Sequence, residues 1–351
     1  MLDEKTTFKP CCCYANYVVK ILVWKDIKRV VLSIFMQVND LIFKELIKRG
    51  YSLEGNTRIW NIADSKLWYL TPEQAQAYLD SVSTKDYKKK IGPKELTLLN
   101  EQIANIIGDF RKGAMNIIDL GCGDGRKAGL FIKELKKKEI KARYCPIDIS
   151  AHMVKKAIEE IEKFEENPEI IKVHWNISDF ENLQNVVPLL KDEEYKTNLF
   201  LLLGNTFGNF ETHELLYSVR NSMRDNDVII IGNGLDNNQT EDDIVKSCRE
   251  NKLRNEFFSL ILRIVGFKKT EISYQVRFKN ARLETLYTIL KDTVIEFQDK
   301  KIEFHKGDQI IVGFTYLYEK EDLLGYLKMY FGEVIVFTLK DGSYCLAVCK
   351  K

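Results

Sequence analysis

The chain has 351 residues, enough for one large or two small domains around a sizeable core. Hydrophobic residues make up 45% and charged residues 30%, the balance of a soluble globular protein. The 53 basic and 51 acidic side chains are interspersed and leave a net charge of +2, so composition offers no strong field to draw in nucleic acid or anionic lipid.

Local basic clusters, Lys88-Lys89-Lys90 and Lys136-Lys137-Lys138, read as solvated helix faces. The eight cysteines do not suggest a disulfide framework. Cys11-Cys12-Cys13 cannot easily bridge among themselves, and Cys122, Cys145, Cys248, Cys345 and Cys349 lie in segments that read as core. With no C-x-x-C and only four histidines, no zinc site is expected, and a reducing cytoplasm is the natural compartment.

From the N-terminus, Tyr17 to Val38 is apolar but interrupted by Lys20, Lys25, Asp26, Lys28 and Arg29. Its longest charge-free run, Val30 to Asn39, falls far short of the roughly 20 residues that span a bilayer. It has no small-residue cleavage site of the secretory kind. Two readings stay open: a genuine amphipathic helix, or translation that starts at Met36. Leu41 to Gly50 reads as a helix stopped by glycine. Thr71-Pro72 opens another helix, and after Gly92-Pro93 a longer one carries Leu96, Leu99, Ile103 and Ile106-Ile107 at helical spacing.

Strand–helix repeats follow. Strands are expected at Met115–Leu120, Arg143–Ile147, Ile171–Ile177, Asn198–Leu203 and Asp227–Ile231, with helices at Lys127–Leu135 and Met153–Phe164. Such alternation predicts an α/β fold with a doubly wound, mostly parallel sheet. After Gly234 the pattern changes: residues 235–263 are polar and then helical. Thr270 to Tyr318 alternates with period two, as an antiparallel meander would, with turns near Asp299-Lys300 and Lys306-Gly307-Asp308. A last helix, Glu319 to Tyr330, precedes a hairpin of Glu333–Leu339 and Ser343–Val348 turning at Lys340-Asp341-Gly342.

The chemistry concentrates at Ile117-Ile118-Asp119-Leu120-Gly121-Cys122-Gly123-Asp124-Gly125. A buried strand ends near an acid, glycines at alternate positions let backbone approach a ligand, and the next helix points its N-terminus at that space. Asp148 lies 23 residues beyond Gly125, at the end of the second strand, where a carboxylate can accept both ribose hydroxyls. Dinucleotide binding fits poorly, because the third position after Gly123 is Arg126 where G-x-G-x-x-G needs glycine.

The G-x-G-x-G spacing instead resembles the class I methyltransferase signature, whose cofactor is S-adenosyl-L-methionine (SAM). Cys145-Pro146-Ile147-Asp148-Ile149-Ser150, Ser178-Asp179-Phe180 and Leu203-Gly204-Asn205-Thr206-Phe207-Gly208-Asn209-Phe210 follow in that order, with Gly125-Arg126-Lys127 before them. Together these resemble the histidine-specific SAM-dependent methyltransferases, the family of the histidine N-alpha-methyltransferase of ergothioneine synthesis. The resemblance covers about residues 85–235 well and the remainder in outline.

It implies a seven-stranded, Rossmann-like sheet and an α+β substrate domain. The division it implies is a helical segment (1–95) contributing to the substrate domain, a SAM-binding core (96–234), an inserted meander (235–318) and a last helix and hairpin completing the core (319–351). Cofactor contacts would fall on Asp119, Gly121, Cys122, Gly123 and Lys127, on Asp148, Ile149 and Ser150, on Asp179 and Phe180, and on Gly204. Gly121 and Lys127 match positions near the methionine moiety, Asp148 the ribose acid, and Asp179-Phe180 the pair that holds adenine. Asn209 matches the asparagine that faces the substrate amine, with Tyr87 as a candidate pocket wall.

One departure bears on the acceptor. Where histidine-methylating members carry T-E-x-S, this chain has Val312-Gly313-Phe314-Thr315. Thr315 still offers a hydroxyl, but Gly313 offers no carboxylate. A buried ammonium or imidazole would lose its charged partner, at a cost of several kcal/mol, on the order of 3–5. Gly204-Asn205-Thr206-Phe207 also stands where amide and base N-methyltransferases carry a D-P-P-Y-type tetrapeptide, which argues against DNA adenine or glutamine-amide methylation. His174 reads as a strand residue and His213 as one near a helix start. The expected reaction is N-methylation of a small amine or amino-acid-like substrate, without nucleic-acid or membrane partners. A protein side-chain methyltransferase and a non-catalytic SAM-binding protein are the other two readings.

Overall fold

The computed structural model describes residues 38–83, 92–108, 110, 113–164, 168–172, 176–190, 192–236 and 240–351. The basic run 88–90, Tyr87, His174, the three cysteines at 11–13 and the Met36 question lie outside them.

Helix α1 (38–49) ends where the Gly50 N–H bonds the Leu46 carbonyl with glycine at φ +59°. A hairpin of β1 (Tyr51–Glu54) and β2 (Thr57–Asn61) follows, where the sequence pattern suggests only helices in the first 95 residues. These strands are short and find their partner far away in the chain, so local pattern carries little signal of them.

Helix α2 (Pro72–Ser83) is capped reciprocally. The Thr71 N–H donates to the Gln74 side chain, and the Gln74 N–H to the Thr71 hydroxyl. Buried Gln74 also donates to the Leu67 carbonyl at 2.8 Å, which ties the preceding helical turn Ser65–Trp68 to α2. Helix α3 (Gly92–Gly108) buries Leu98, Leu99, Ile103, Ile106 and Ile107. Leu96, expected on that stripe, is 41% exposed and faces a cavity instead.

The alternating elements are β3 (Ala114–Leu120), α4 (Arg126–Lys137), β4 (Lys141–Ile147), α5 (Ala151–Ile161), β5 (Glu169–Ile170), β6 (Tyr195–Leu202), α6 (Thr212–Ser222) and β7 (Val228–Gly234). Helices α7 (Glu241–Arg249) and α8 (Lys252–Ile264) lead to β8 (Ile272–Lys279), β9 (Arg282–Ile289), β10 (Thr293–Phe297), β11 (Lys300–Phe304) and β12 (Gln309–Tyr316). Helix α9 (Lys320–Tyr330) and the hairpin β13 (Glu333–Thr338) and β14 (Tyr344–Lys350) close the chain.

Among the described residues, one sheet has seven strands in the order β13-β14-β7-β6-β3-β4-β5. Strands β5, β4, β3, β6 and β7 run parallel, while β14 is antiparallel to both its neighbours. Both faces are covered, so the strands read as near-continuous apolar runs. Ile117, Tyr144, Leu199 and Ile230 pack toward α3, α4 and α5, whereas Ile118, Cys145, Phe200 and Ile229 pack toward α6 and α9. Of the strand expected at 171–177, residues 173–175 lie outside the described residues; the two-residue β5 ends just before it, and Ile177 forms an isolated bridge with Asp148. Pro146 in β4 has no N–H to offer a neighbouring strand, and its carbonyl is taken by the Asn176 side chain at 2.7 Å.

A second sheet runs β1-β2-β12-β9-β8, with β10 and β11 forming a separate hairpin. The expected meander is therefore interrupted: β12 returns to pair antiparallel with β9 and parallel with β2. Helices α1, α2 and α8 cover one face through a third core containing Ile42, Leu46, Trp68, Phe257, Phe258 and Tyr287.

Candidate functional site

A cavity of about 550 Å³ opens beyond the C-terminal ends of β3, β4 and β6, the place where an open parallel sheet reverses its winding. Its floor is the glycine loop. Gly121, Gly123 and Gly125 have φ of +67°, +54° and +75°, a region that side chains with a Cβ disfavour. Gly125 meets a second demand, since a Cβ there would lie 2.9 Å from the backbone of Ala157 in α5.

Two buried carboxylates face this space. Asp148, 8% exposed, accepts the Ser150 N–H at 2.9 Å. Burial raises its pKa to about 6, against the lowering effect of backbone bonds from Ser150, Gly123 and Ile149. Asp119 accepts the Tyr144 hydroxyl at 2.8 Å, and burial raises it to about 7 despite that bond and the nearby Lys127 charge. Burial also pushes the Cys122 thiol well above its usual range, so it lines the cavity as an apolar group.

Phe180 packs on Phe210, ring centroids 5.1 Å apart, and both border the cavity with Asp179 and Ile149. Ser150 does not border it and acts from behind, through its N–H to Asp148.

Each residue of the segment Gly204-Asn205-Thr206-Phe207-Gly208-Asn209 has a physical reason. Gly204 has φ +81°, and a Cβ there would lie 2.7 Å from the Lys127 ammonium. Asn205, left-handed at φ +63°, accepts the Gly234 N–H and so ties the loop to β7. Thr206 bonds back to the Leu203 carbonyl, and Phe207 is fully buried. Gly208 lets β12 approach, since a Cβ would meet the Tyr316 carbonyl at 2.9 Å. Asn209 then borders the cavity, its Oδ1 accepting the Thr315 hydroxyl at 2.9 Å. Thr315 thus reaches the site through Asn209, and Tyr87 lies outside the described residues.

Gly313 does not face the cavity. A Cβ there would sit 2.5 Å from the Phe258 ring and 2.9 Å from Trp68. Those rings meet edge to face at 5.1 Å, and the Trp68 indole N–H donates to the Val312 carbonyl. Aromatic packing fills the space beside Gly313. His213 is exposed at the start of α6, 2.9 Å from the Tyr330 hydroxyl and away from the cavity.

Sequence reasoning misses the wall opposite the glycine loop: Ser65, Lys66 and Tyr69 from the turn before α2, and Tyr78 and Leu79 from α2. Tyr69 and Tyr78 meet edge to face at 5.4 Å. It also misses Glu95, which pairs with Lys127 at 2.7 Å. One signal exists, because an acid at position 95 sits on the apolar stripe of α3, one turn before Leu98 and Leu99.

The model of the family described as "Histidine-specific methyltransferase, SAM-dependent" matches residues 82–351. The chain belongs to this family. It is a SAM-dependent methyltransferase with the class I fold, as the sheet order and winding independently indicate. No curated protein matches the methyltransferase at a significant level. Solved structures similar to it include the PH0226 protein of Pyrococcus horikoshii, at 15% identity and TM-score 0.42, covering 80% of this chain and 99% of that one. The sugar N-methyltransferase KedS8 of Streptoalloteichus follows at 12% identity and TM-score 0.36, covering 77% and 94%. The plantazolicin methyltransferase BpumL is 15% identical with TM-score 0.37, covering 90% and 99%. Among the described residues no helix is long and apolar enough to cross a membrane, and no cluster of His, Cys, Asp or Glu is placed to hold a metal ion.

Proposed function

We propose that the methyltransferase transfers a methyl group to the nitrogen of a small amine or amino-acid-like molecule. The observation that carries this reading is Asn209, held by Thr315 on the border of the same cavity that the two buried acids face. The cavity volume of about 550 Å³ falls within the roughly 300–1,000 Å³ of small-molecule sites, which favours a small acceptor over a polypeptide.

The cavity suits SAM as donor. Asp148 is a buried acid whose carboxylate gains from two ribose hydroxyls, and the bare backbone of Gly121 and Gly123 permits close approach. In the proposed arrangement Asp179 and Phe180 hold the adenine, while Cys122, Ile149 and Gly204 complete the wall. Residues 96–234 and 319–351 then form the donor-binding core, and the remaining chain supplies the acceptor side together with Asn209.

When bound, SAM supplies a methyl group on an already activated sulfonium. The protein's own task is alignment, which can account for much of the acceleration. An amine attacks only when neutral, and an unperturbed α-amine has a pKa of about 8. The half-buried rings of Tyr69 and Tyr78 and the apolar Leu79 make a poorly hydrated wall, which disfavours the ammonium form. Asn209 orients the nitrogen, and water or a loop carboxylate takes its proton.

The test is Asn209→Ala, assayed by release of S-adenosylhomocysteine over a panel of amines and amino acids. Turnover should fall about 100-fold or more, with SAM affinity changed less than about twofold. Unchanged turnover would remove Asn209 from the site. Product from protein side chains and from no small amine would overturn the substrate class.

A further inference from the structure

The outer strands of the two larger sheets are β13, β5, β1 and β8. Natural proteins blunt such edges with short strands, charges, bulges or a covering element. Strand β5 has two residues, and β1 has four and ends on Glu54, which pairs with Arg277 and Lys279. Strand β8 carries those two cations, and its Tyr274 hydroxyl is tied to the Cys248 carbonyl of α7. Strand β13, Glu333-Val334-Ile335-Val336-Phe337-Thr338, is different. It has six residues, a charge only at the first, and no bulge in its register with β14.

The direction of its free backbone groups follows from one bond. The Leu339 N–H donates to the Tyr344 carbonyl at 3.1 Å, one step beyond the pairing of Thr338 with Cys345. Residues that bond across an antiparallel pair alternate along the strand. Phe337, Ile335 and Glu333 therefore bond to β14, while Val334, Val336 and Thr338 turn both N–H and C=O outward. Among the described residues nothing takes these outward groups. The side chains leave the edge open, with Ile335 41% exposed and Val334, Val336, Phe337 and Thr338 half-buried. Val334 and Val336 pack on the α9 side of the sheet, and Phe337 on the α3 side.

This edge is complementary to itself. A twofold axis through Val336, perpendicular to the sheet, sets Val336 against the partner's Val336, Val334 against the partner's Thr338 and Ile335 against the partner's Phe337. Each pair keeps to one side of the sheet, as cross-strand neighbours must. The register joins three pairs of outward residues, each exchanging two hydrogen bonds, whereas an axis through Ile335 joins only two such pairs. It also brings exposed Glu333 within one residue of the partner's exposed Lys340, so opposite charges meet at each end. The axis through Ile335 would instead set Glu333 against the partner's Phe337.

We propose that two copies of this chain associate through β13, as an antiparallel pair centred on Val336 that joins two seven-stranded sheets into one. A contact of this kind uses the same patch on both copies and closes on itself, leaving no β13 edge free. Strands β14 and β7 separate β13 from β6, β3 and β4, whose ends carry the cavity, so each copy keeps its own site. The proposal does not depend on the identity of the acceptor.

Sedimentation velocity on the full chain tests it, and the wild type should run as a dimer at micromolar concentration. Val336→Pro removes the outward N–H at the axis and keeps the bonds to β14, so association should weaken about tenfold or more with an unchanged circular-dichroism spectrum. Ile335→Lys, at an exposed position, should weaken it similarly and serves as the second variant if proline disturbs the strand. A monomeric wild type would overturn the proposal, as would a dimer that survives both substitutions. Cross-linking reads the register. Val336→Cys places two thiols across the axis at a Cα separation of about 5.5 Å, which suits a disulfide, so mild oxidation should link the copies. Ile335→Cys lies two residues away from its counterpart and should link no faster than the wild type. Preferential linking through position 335 would overturn the pairing centred on Val336.

Discussion

The two sides of the cavity are built by different means. The proposed donor side is made of segments at the ends of β3, β4 and β6, where φ-positive glycines and the acids Asp119 and Asp148 recur at short spacing. The proposed acceptor side is assembled from the turn before α2, from α2 itself, from the Asn209 turn and, through Thr315, from β12. The first depends on backbone shape, which tolerates few residues. The second depends on side chains from distant elements, so its chemistry can change while the fold stays. The contrast between Gly125, pinned by φ and by Ala157, and Gly313, hemmed in by the side chains of Phe258 and Trp68, expresses that difference.

The largest effect expected from this contrast is at Gly313. Gly313→Glu should not create a site for a cationic acceptor. It should destabilise the fold by roughly 3 kcal/mol or more, because a charged side chain enters a filled aromatic contact. Thermal or denaturant unfolding measures this, and an unchanged melting point with new histidine turnover would show that the contact opens readily.

Next comes a separation of the two sides by affinity and rate. Asp148→Ala should weaken S-adenosylhomocysteine about 100-fold, as expected for losing two charge-assisted bonds, and leave the acceptor KM within about threefold. Asn209→Ala should instead lower turnover about 100-fold and leave S-adenosylhomocysteine affinity within about twofold. If both variants weaken donor affinity and turnover alike, the two sides are not independent.

A smaller effect follows from pH. The raised pKa values, about 6 for Asp148 and about 7 for Asp119, mean that both acids take up protons in the ligand-free protein as pH falls through those values. A ligand that donates hydrogen bonds to these acids favours their ionised forms, so S-adenosylhomocysteine affinity should drop below pH ~7, by up to about tenfold per unit per proton released. Stability without ligand has the opposite sign. A raised carboxylate contributes fully below its unfolded pKa of ~4 and loses that contribution as pH rises through the folded value. Stabilisation by ligand should therefore grow between pH ~5 and ~7.5. A pH-independent affinity would remove both acids from donor binding.

The smallest change is expected at Thr315. Thr315→Val removes one hydroxyl that fixes the Asn209 amide, and kcat should fall about three- to tenfold with donor affinity unchanged. A loss as large as that of Asn209→Ala would mean that Thr315 itself meets the acceptor.

Much of the donor side is legible in the residue order alone. The run 115–120, the alternate glycines and Asp148 are local features, and strand geometry and positive φ act within a few residues. The segment 204–209 is legible for the same reason, each residue being constrained by its immediate backbone or by one close approach. Leu96 departs from its expected burial because the stripe of α3 leaves the core at its first turn and faces the cavity.

By itself, then, the amino-acid order determined the parallel sheet, the glycine loop and the acid that follows the second strand, since each follows from rules that act over a turn or a strand. The pairing of β2 with β12, the filling of the space beside Gly313 and the meeting of Glu95 with Lys127 were decided only in the tertiary structure. Such contacts join residues tens to hundreds of positions apart, and register and packing bring them together where periodicity carries no trace of them.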